Sequence, residues 1–168
     1  MNDLELPALF ACLAATFAAA SSGALFRPGA WYAALRKPSW TPPNWAFPVV
    51  WSILYVMIAL SGWIVWRAAG ATAWPALALF GVQLALNAGW SALFFGARRL
   101  DWAMAEVAAL WLSIAALIGA FAAFSIHAAL LLAPYLAWVT VAAILNYRLL
   151  RLNGSRGPVM ARDPAASR

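Results

Sequence analysis

Residues 47–66 read FPVVWSILYVMIALSGWIVW, 20 positions without a charged side chain. A helix of that length is about 30 Å long, the thickness of the hydrocarbon core of a bilayer. The run has none of the polar–apolar alternation of a membrane β-strand, which argues against a barrel. Four further runs of the same character accompany it, at 6–26, 74–95, 102–124 and 128–150. The expected fold is therefore an all-α membrane protein, with five transmembrane helices forming one bundle over residues 1–152. Residues 153–168 turn to Gly, Ser, Pro and Arg and read as a disordered tail.

Composition agrees with that reading. The chain has 168 residues, 66% hydrophobic and 10% charged. Soluble domains carry roughly a quarter of their residues as charges, so there is too little polar surface here to coat a globule in water. A single cysteine, Cys12, excludes an intrachain disulfide and a multi-cysteine metal site. The net charge of +6 would raise nucleic acid as a partner in a soluble protein, but the basic residues lie between apolar runs and form no stripe. No nucleic-acid partner is expected. The start, Met1-Asn2-Asp3-Leu4-Glu5, is acidic, unlike the basic start of a secretory signal.

Five spans put the two termini on opposite sides. The C-terminal side carries Arg27, Arg36, Lys37, Arg98, Arg99, Arg148, Arg151, Arg156, Arg162 and Arg168; the N-terminal side carries Arg67. Basic loops stay in the cytoplasm, so the C-terminus is expected there if the protein occupies an inner membrane.

The longest linker, 27–46, holds four prolines together with Trp31, Tyr32, Trp40 and Trp45. Proline blocks continuous helix, and tryptophan favours the headgroup level. The segment reads either as an ordered lid over one mouth of the bundle or as a plain interfacial loop.

No Gly-rich phosphate loop, metalloprotease motif or Ser/His/Asp set is present. His127 stands in a short linker without a second metal-binding side chain nearby, so no metal site and no buried axial haem ligand are expected. Aromatic and polar content at membrane depth is the informative feature. Trp31, Trp40, Trp45, Trp66, Trp74 and Trp102 fall at helix ends or in linkers, as interface anchors do. Trp51, Trp90, Trp111 and Trp138 fall inside helices, where anchoring does not explain them.

Helical spacing puts Trp51 and Tyr55 on one face. It also aligns Gln83, Asn87, Trp90 and Ser91 on the third helix, and Tyr135, Trp138, Ala142 and Asn146 on the fifth. Such stripes face inward. From spacing alone, interhelical hydrogen bonding is favoured over a lined cavity. Glu106, about one turn inside the fourth helix, would be explained by pairing with Arg98 or Arg99. Gly81, Ala85 and Gly89 form a small-residue stripe that lets helix backbones approach. Leu145, Tyr147 and Arg151 fit a proposed cholesterol-contact pattern, though a tyrosine and an arginine at a helix end are also ordinary anchors.

Several strings are more specific. Trp31-Tyr32-Ala33-Ala34-Leu35-Arg36-Lys37-Pro38-Ser39-Trp40-Thr41-Pro42-Pro43 resembles the first-loop signature of the translocator protein family, also called tryptophan-rich sensory proteins or peripheral-type benzodiazepine receptors. Phe94-Phe95-Gly96-Ala97-Arg98-Arg99 resembles its third linker. Pro134-Tyr135-Leu136-Ala137-Trp138 with Leu145-Asn146-Tyr147 resembles its fifth helix.

The resemblance implies five helices around a ligand cavity closed by the first loop. It implies porphyrins such as protoporphyrin IX or haem, sterols, and isoquinoline or benzodiazepine drugs as ligands, with no required cofactor. It implies that Trp51 and Trp138 match tryptophans tied to light-driven porphyrin loss in some bacterial members. Tyr32, Asn87, Trp138 and Ala142 match pocket positions. With Trp40, Trp51, Tyr55, Trp90, Tyr135 and Asn146 they make up the expected ligand-binding set. Tyr147 and Arg151 match the cholesterol-contact segment, and the third-helix stripe matches the homodimer contact of bacterial relatives. Arg148 departs from the animal pattern, which carries an uncharged residue beside the tyrosine. Abundant Ala and Arg point to a bacterial source, in which either membrane could hold the chain.

Three functions follow from the resemblance: tetrapyrrole binding for sensing, regulation or protection against photo-oxidative stress; transport of tetrapyrroles or sterols; and light-dependent degradation of porphyrin. Against transport, five helices do not divide into two equal repeats, and no helix looks broken in its middle. Against ordinary catalysis, no acid–base pair is present.

Overall fold

The computed structural model describes residues 5–26 and 28–158, and all regular structure among them is helical. Five long helices make the bundle: α1 (Glu5–Leu25), α3 (Ala46–Ala69), α4 (Trp74–Ser91), α5 (Leu100–Ala122) and α6 (Ile126–Asn153). A five-residue helix, α2 (Ala30–Ala34), lies in the first linker. The protein is thus an integral membrane helical bundle with an ordered first loop.

Helical structure continues without a break from Ala46 to Gly96, 51 residues. Straight, that run would reach about 76 Å, more than twice a hydrocarbon core, so it must fold in two. The fold occurs at Gly70, whose φ of 54° ends α3 in a conformation open to glycine. A single turn over Gly70–Ala73 follows, and Pro75 sits in the first turn of α4, where its missing N–H costs nothing. At the other end, α6 begins on Ser125, whose hydroxyl accepts the Ala128 N–H at 3.4 Å, and ends at Gly154 with φ 72°.

The five helices close into a ring in the order α1, α3, α6, α5, α4. Neighbours along the chain are not always neighbours in space: α1 stands between α3 and α4. Ion pairing and hydrogen bonding fix the ends. Arg67 at the end of α3 reaches Glu5 at 3.5 Å, and the Trp63 indole donates to the Glu5 carbonyl at 2.9 Å. Trp63 is an anchor that the reading of the sequence passed over. At the opposite end, Asn146 Nδ2 donates to the Leu100 carbonyl at 3.1 Å, and Asn153 meets Arg36 in the first loop. That end gathers α2, the α4–α5 linker and the end of α6.

Large apolar side chains point outward along the bundle, for example Phe17 at 76% and Leu112 at 64% exposure. In water such a surface would aggregate; in a bilayer it is the lipid face. Inside, Ile58, Ile114, Leu117, Leu132 and Phe121 are fully buried.

Two expectations are corrected and one is refined. The third span, expected over about 74–95, stays helical to Gly96, but regular α-helix stops at Ser91. A π turn over Ala92–Gly96 replaces it, closed by Ala97 N–H to the Ala92 carbonyl at 2.7 Å. The wider turn swings Phe94 and Phe95 beneath α2. Glu106 does not pair with Arg98 or Arg99. Arg99 instead grips Asp101, two residues away, at 2.6 and 2.8 Å and covers the Trp102 ring. Glu106 lies deeper, beside Gly89, and neither carboxylate oxygen has a hydrogen-bond partner among the described residues. Residues 153–158, expected to begin a disordered tail, instead fold back against the first loop. The rest of that tail, 159–168, lies outside the described residues.

Candidate functional site: a lidded aromatic cavity

Between the helices and α2 lies a cavity of about 550 Å³, inside the range of roughly 300–1,000 Å³ typical of small-molecule sites. Each wall follows from local sequence. α3 contributes Phe47, Trp51 and Tyr55, one turn apart, with Trp51 and Tyr55 stacked at 5.3 Å between centroids. α4 contributes Asn87, Trp90 and Ser91, and its π turn adds Phe94, stacked on Trp90 at 4.8 Å. α6 contributes Trp138, Ala142, Leu145 and Asn146. Trp138 packs edge-on to Phe47 at 5.8 Å.

Tyr32 closes the top. It and Trp31 are buried, with rings against Phe94 and Phe95 at 5.6–6.1 Å. Burial pushes the Tyr32 phenol above its ordinary pKa, so it stays neutral through the physiological range. Lys37 covers the same ring from outside, its ammonium 4.5 Å from the centroid.

The expected site residues divide into two groups. Tyr32, Trp51, Tyr55, Asn87, Trp90, Trp138, Ala142 and Asn146 line the cavity together. Tyr135 does not. It is fully buried behind the wall, edge-on to Trp51 at 6.0 Å. Trp40 does not either: the proline-rich stretch after α2 carries it to the surface, 44% exposed. Trp111 joins helices on the outer side, donating to the Thr140 hydroxyl at 2.8 Å. His127 is exposed at the end of the bundle away from α2.

Behind the lining runs a chain of hydrogen bonds. The Tyr55 hydroxyl donates to Asn87 Oδ1 at 2.7 Å, Asn87 Nδ2 to the Tyr135 hydroxyl at 3.0 Å, and Tyr135 to Gln83 Oε1 at 3.0 Å. The polar stripes of α3, α4 and α6 thus serve both purposes weighed from spacing. They fasten the helices to one another, and two links of the hydrogen-bonded chain, Tyr55 and Asn87, also face the cavity.

The lining holds no Asp, Glu, Lys or Arg among the described residues. An ionised ligand group deep inside would lack a counter-charge, at a prohibitive desolvation cost. The chemistry favoured is a flat, mostly apolar body stacked on indole and phenol rings, with any charge at the mouth.

Reading of the sequence missed one wall altogether. Ala20, Gly23 and Ala24 of α1 line the cavity. Small side chains on this face of α1 leave room for a ligand.

Leu145, Tyr147 and Arg151 do not form one surface. Leu145 is buried on the cavity, whereas Tyr147, Arg148 and Arg151 face outward. Gly81 and Ala85 lie open on the outer face of α4, and Gly89 is partly covered by Glu106.

A model of the TspO/MBR family matches residues 8–152. Similar curated proteins include "Protein CrtK" of Rhodobacter capsulatus, 43% identical over 146 residues that cover 84% of this chain and 89% of that protein. The "Tryptophan-rich sensory protein" of Cereibacter sphaeroides is 42% identical, covering 86% and 90%. The human "Translocator protein" is 42% identical, covering 76% and 78%.

Proposed function

The chain belongs to the TspO/MBR family, and from that premise we propose that its lidded cavity binds a porphyrin, serving sensing, regulation or protection against photo-oxidative stress. One observation carries the reading: Trp51, Trp90 and Trp138, on three helices, face a single cavity whose described lining is uncharged. Indole faces suit a flat conjugated macrocycle, each ring pair adding about 0.5–1.5 kcal/mol beyond the area buried. Since the described lining offers no cation, the propionates of protoporphyrin IX or haem point to the mouth, where the exposed Arg36 and the half-exposed Lys37 stand on the lid. Sterols and isoquinoline- or benzodiazepine-type drugs are further candidates by their apolar bulk.

The names of the relatives point two ways, to sensing and to translocation. Binding is common to both. Light-driven loss of porphyrin is a second activity of the same site, favoured by the oxidisable indoles of Trp51 and Trp138 inside it.

Titration of the protein in lipid nanodiscs with protoporphyrin, in the dark, tests the proposal. Tryptophan emission should be quenched saturably, with one porphyrin per chain. Quenching that rises linearly and matches simple partition into the lipid would overturn it.

The same family premise supports a homodimer through the open α4 face at Gly81 and Ala85. Ala85→Leu would hold the backbones apart and should weaken association about tenfold, the effect of roughly 1.4 kcal/mol of steric cost. Crosslinking in bilayers reads the dimer fraction; an unchanged fraction would place the contact on another helix. The basic end of the bundle, which carries α2, is proposed to face the cytoplasm.

A further inference from the structure

We propose that residues 153–158, the last residue of α6 and the turns that follow it, form a strap that holds the lid shut, with Asn153 as its positioning residue. Ligand exchange at the mouth is then set from the C-terminal end of the membrane domain. The inference rests on reading the cavity as a ligand site.

The lid, residues 28–45, makes several hydrogen bonds within itself: Ala33 N–H to Gly29, Leu35 N–H to Tyr32 and Thr41 N–H to Pro38. Apart from the Pro43 carbonyl, which accepts the Ala46 N–H at the lid's own junction with α3, the hydrogen bonds from the lid to the rest of the described chain end on residues 153–158. Asn153 uses both ends of its amide on Arg36: Oδ1 accepts the Arg36 N–H at 2.8 Å, and Nδ2 donates to the Arg36 carbonyl at 2.9 Å. The Trp31 indole N–H donates to the Arg156 carbonyl at 3.0 Å. The Asn153 pairing imitates one rung of a β-ladder and fixes α2 at its exit. The Trp31 bond fixes it near its start.

The strap is itself anchored. The Ser155 carbonyl accepts the Leu100 N–H at 2.8 Å, joining it to the first residue of α5. Asn153 Nδ2 also reaches the Leu149 carbonyl at 2.9 Å, so the amide is held in place before it meets the lid. Two glycines shape the path. Gly154 turns the chain at φ 72°, and Gly157 has φ 69°. A Cβ on Gly157 would stand 2.7 Å from Leu35 Cδ2 and 3.2 Å from Trp31 Nε1, so a side chain there forces strap and lid apart.

The remaining lid contacts are apolar: Trp31, Tyr32 and Leu35 pack on the Phe94 cluster. They hold the lid near the mouth without fixing its register. Two directional bonds to one amide and one to an indole supply the register, and Tyr32, which closes the cavity, lies between them.

Asn153→Ala and Trp31→Phe test the strap, each deleting its bonds while sparing the ring packing. Arg156→Ala is the control, because the bond to Arg156 uses its backbone. Two measurements are made in nanodiscs: hydrogen exchange at the Ala33 and Leu35 amides without ligand, and the dissociation rate of protoporphyrin in the dark. Loss of one or two hydrogen bonds predicts about tenfold faster lid exchange and about tenfold faster dissociation in both variants, with Arg156→Ala unchanged.

Unchanged lid exchange in folded Asn153→Ala and Trp31→Phe overturns the strap. Should Asn153→Ala fail to fold, Trp31→Phe alone decides. Faster lid exchange without faster dissociation overturns the claim that the strap governs ligand exchange. If the unaltered protein takes up no protoporphyrin, the ligand reading fails instead, and lid exchange still judges the strap.

Discussion

Replacing Trp51 and Trp138 together by alanine is expected to lower the dark affinity for protoporphyrin on the order of a hundredfold, from two lost ring-stacking contacts and the apolar area that goes with them. The two indoles stand on α3 and α6, and Phe47, one turn before Trp51, packs edge-on to Trp138. Trp138→Phe separates stacking from redox chemistry. It keeps an aromatic face, so affinity should fall only a few-fold, on the scale of one ring pair. It removes the more oxidisable indole, so any light-driven loss of porphyrin should fall far more than binding does. If the double variant keeps both affinity and photochemistry, the tryptophans are packing residues. In that case unfolding becomes easier while binding per folded molecule holds.

Tyr135→Ala is expected to cost about 3–5 kcal/mol of stability, as truncation of a large buried aromatic does. Tyr135 is fully buried and joins α4 to α6 through Asn87 and Gln83. Tyr135→Phe isolates the hydroxyl. It leaves Asn87 Nδ2 and Gln83 Oε1 without their partner and should cost about 1–3 kcal/mol. Unfolding by a denaturing detergent reads both. Since Tyr135 does not line the cavity, Tyr135→Phe should change porphyrin affinity far less than it changes stability. Equal losses in the two would place its hydroxyl at the ligand.

Much of this arrangement was legible before any coordinates, because the bilayer imposes length and apolarity on each span. Residues 47–66 announce a membrane helix from composition alone. Helical period put Asn87, Trp138 and Ala142 on inward stripes, and the family resemblance, not the period, marked them as pocket positions. Period does not say how far a side chain stands from the space at the centre. Tyr135 and Trp138 are three residues apart on one face, yet one sits behind the wall and the other in it. Trp40 was misplaced because no period governs a proline-rich loop. The α1 wall was missed because a cavity wall of Ala and Gly carries no chemical signal. Glu106 was assigned to the nearest arginines by sequence, but Asp101 stands closer to Arg99 and takes it. The strap was read as disorder from its Gly, Ser and Pro, and two of those glycines prove to be what lets it turn and lie against Trp31 and Leu35.

The central claim is that a porphyrin occupies the space beneath α2, and filling that space tests it most directly. Ala142 lines the cavity on α6. Ala142→Trp places an indole where the macrocycle would stack. Protoporphyrin binding to this variant in nanodiscs, in the dark, should be lost, with the helical fold retained by circular dichroism and saturable binding preserved in the unaltered protein. Saturable binding of equal affinity in folded Ala142→Trp would contradict the claim and move the ligand outside the cavity.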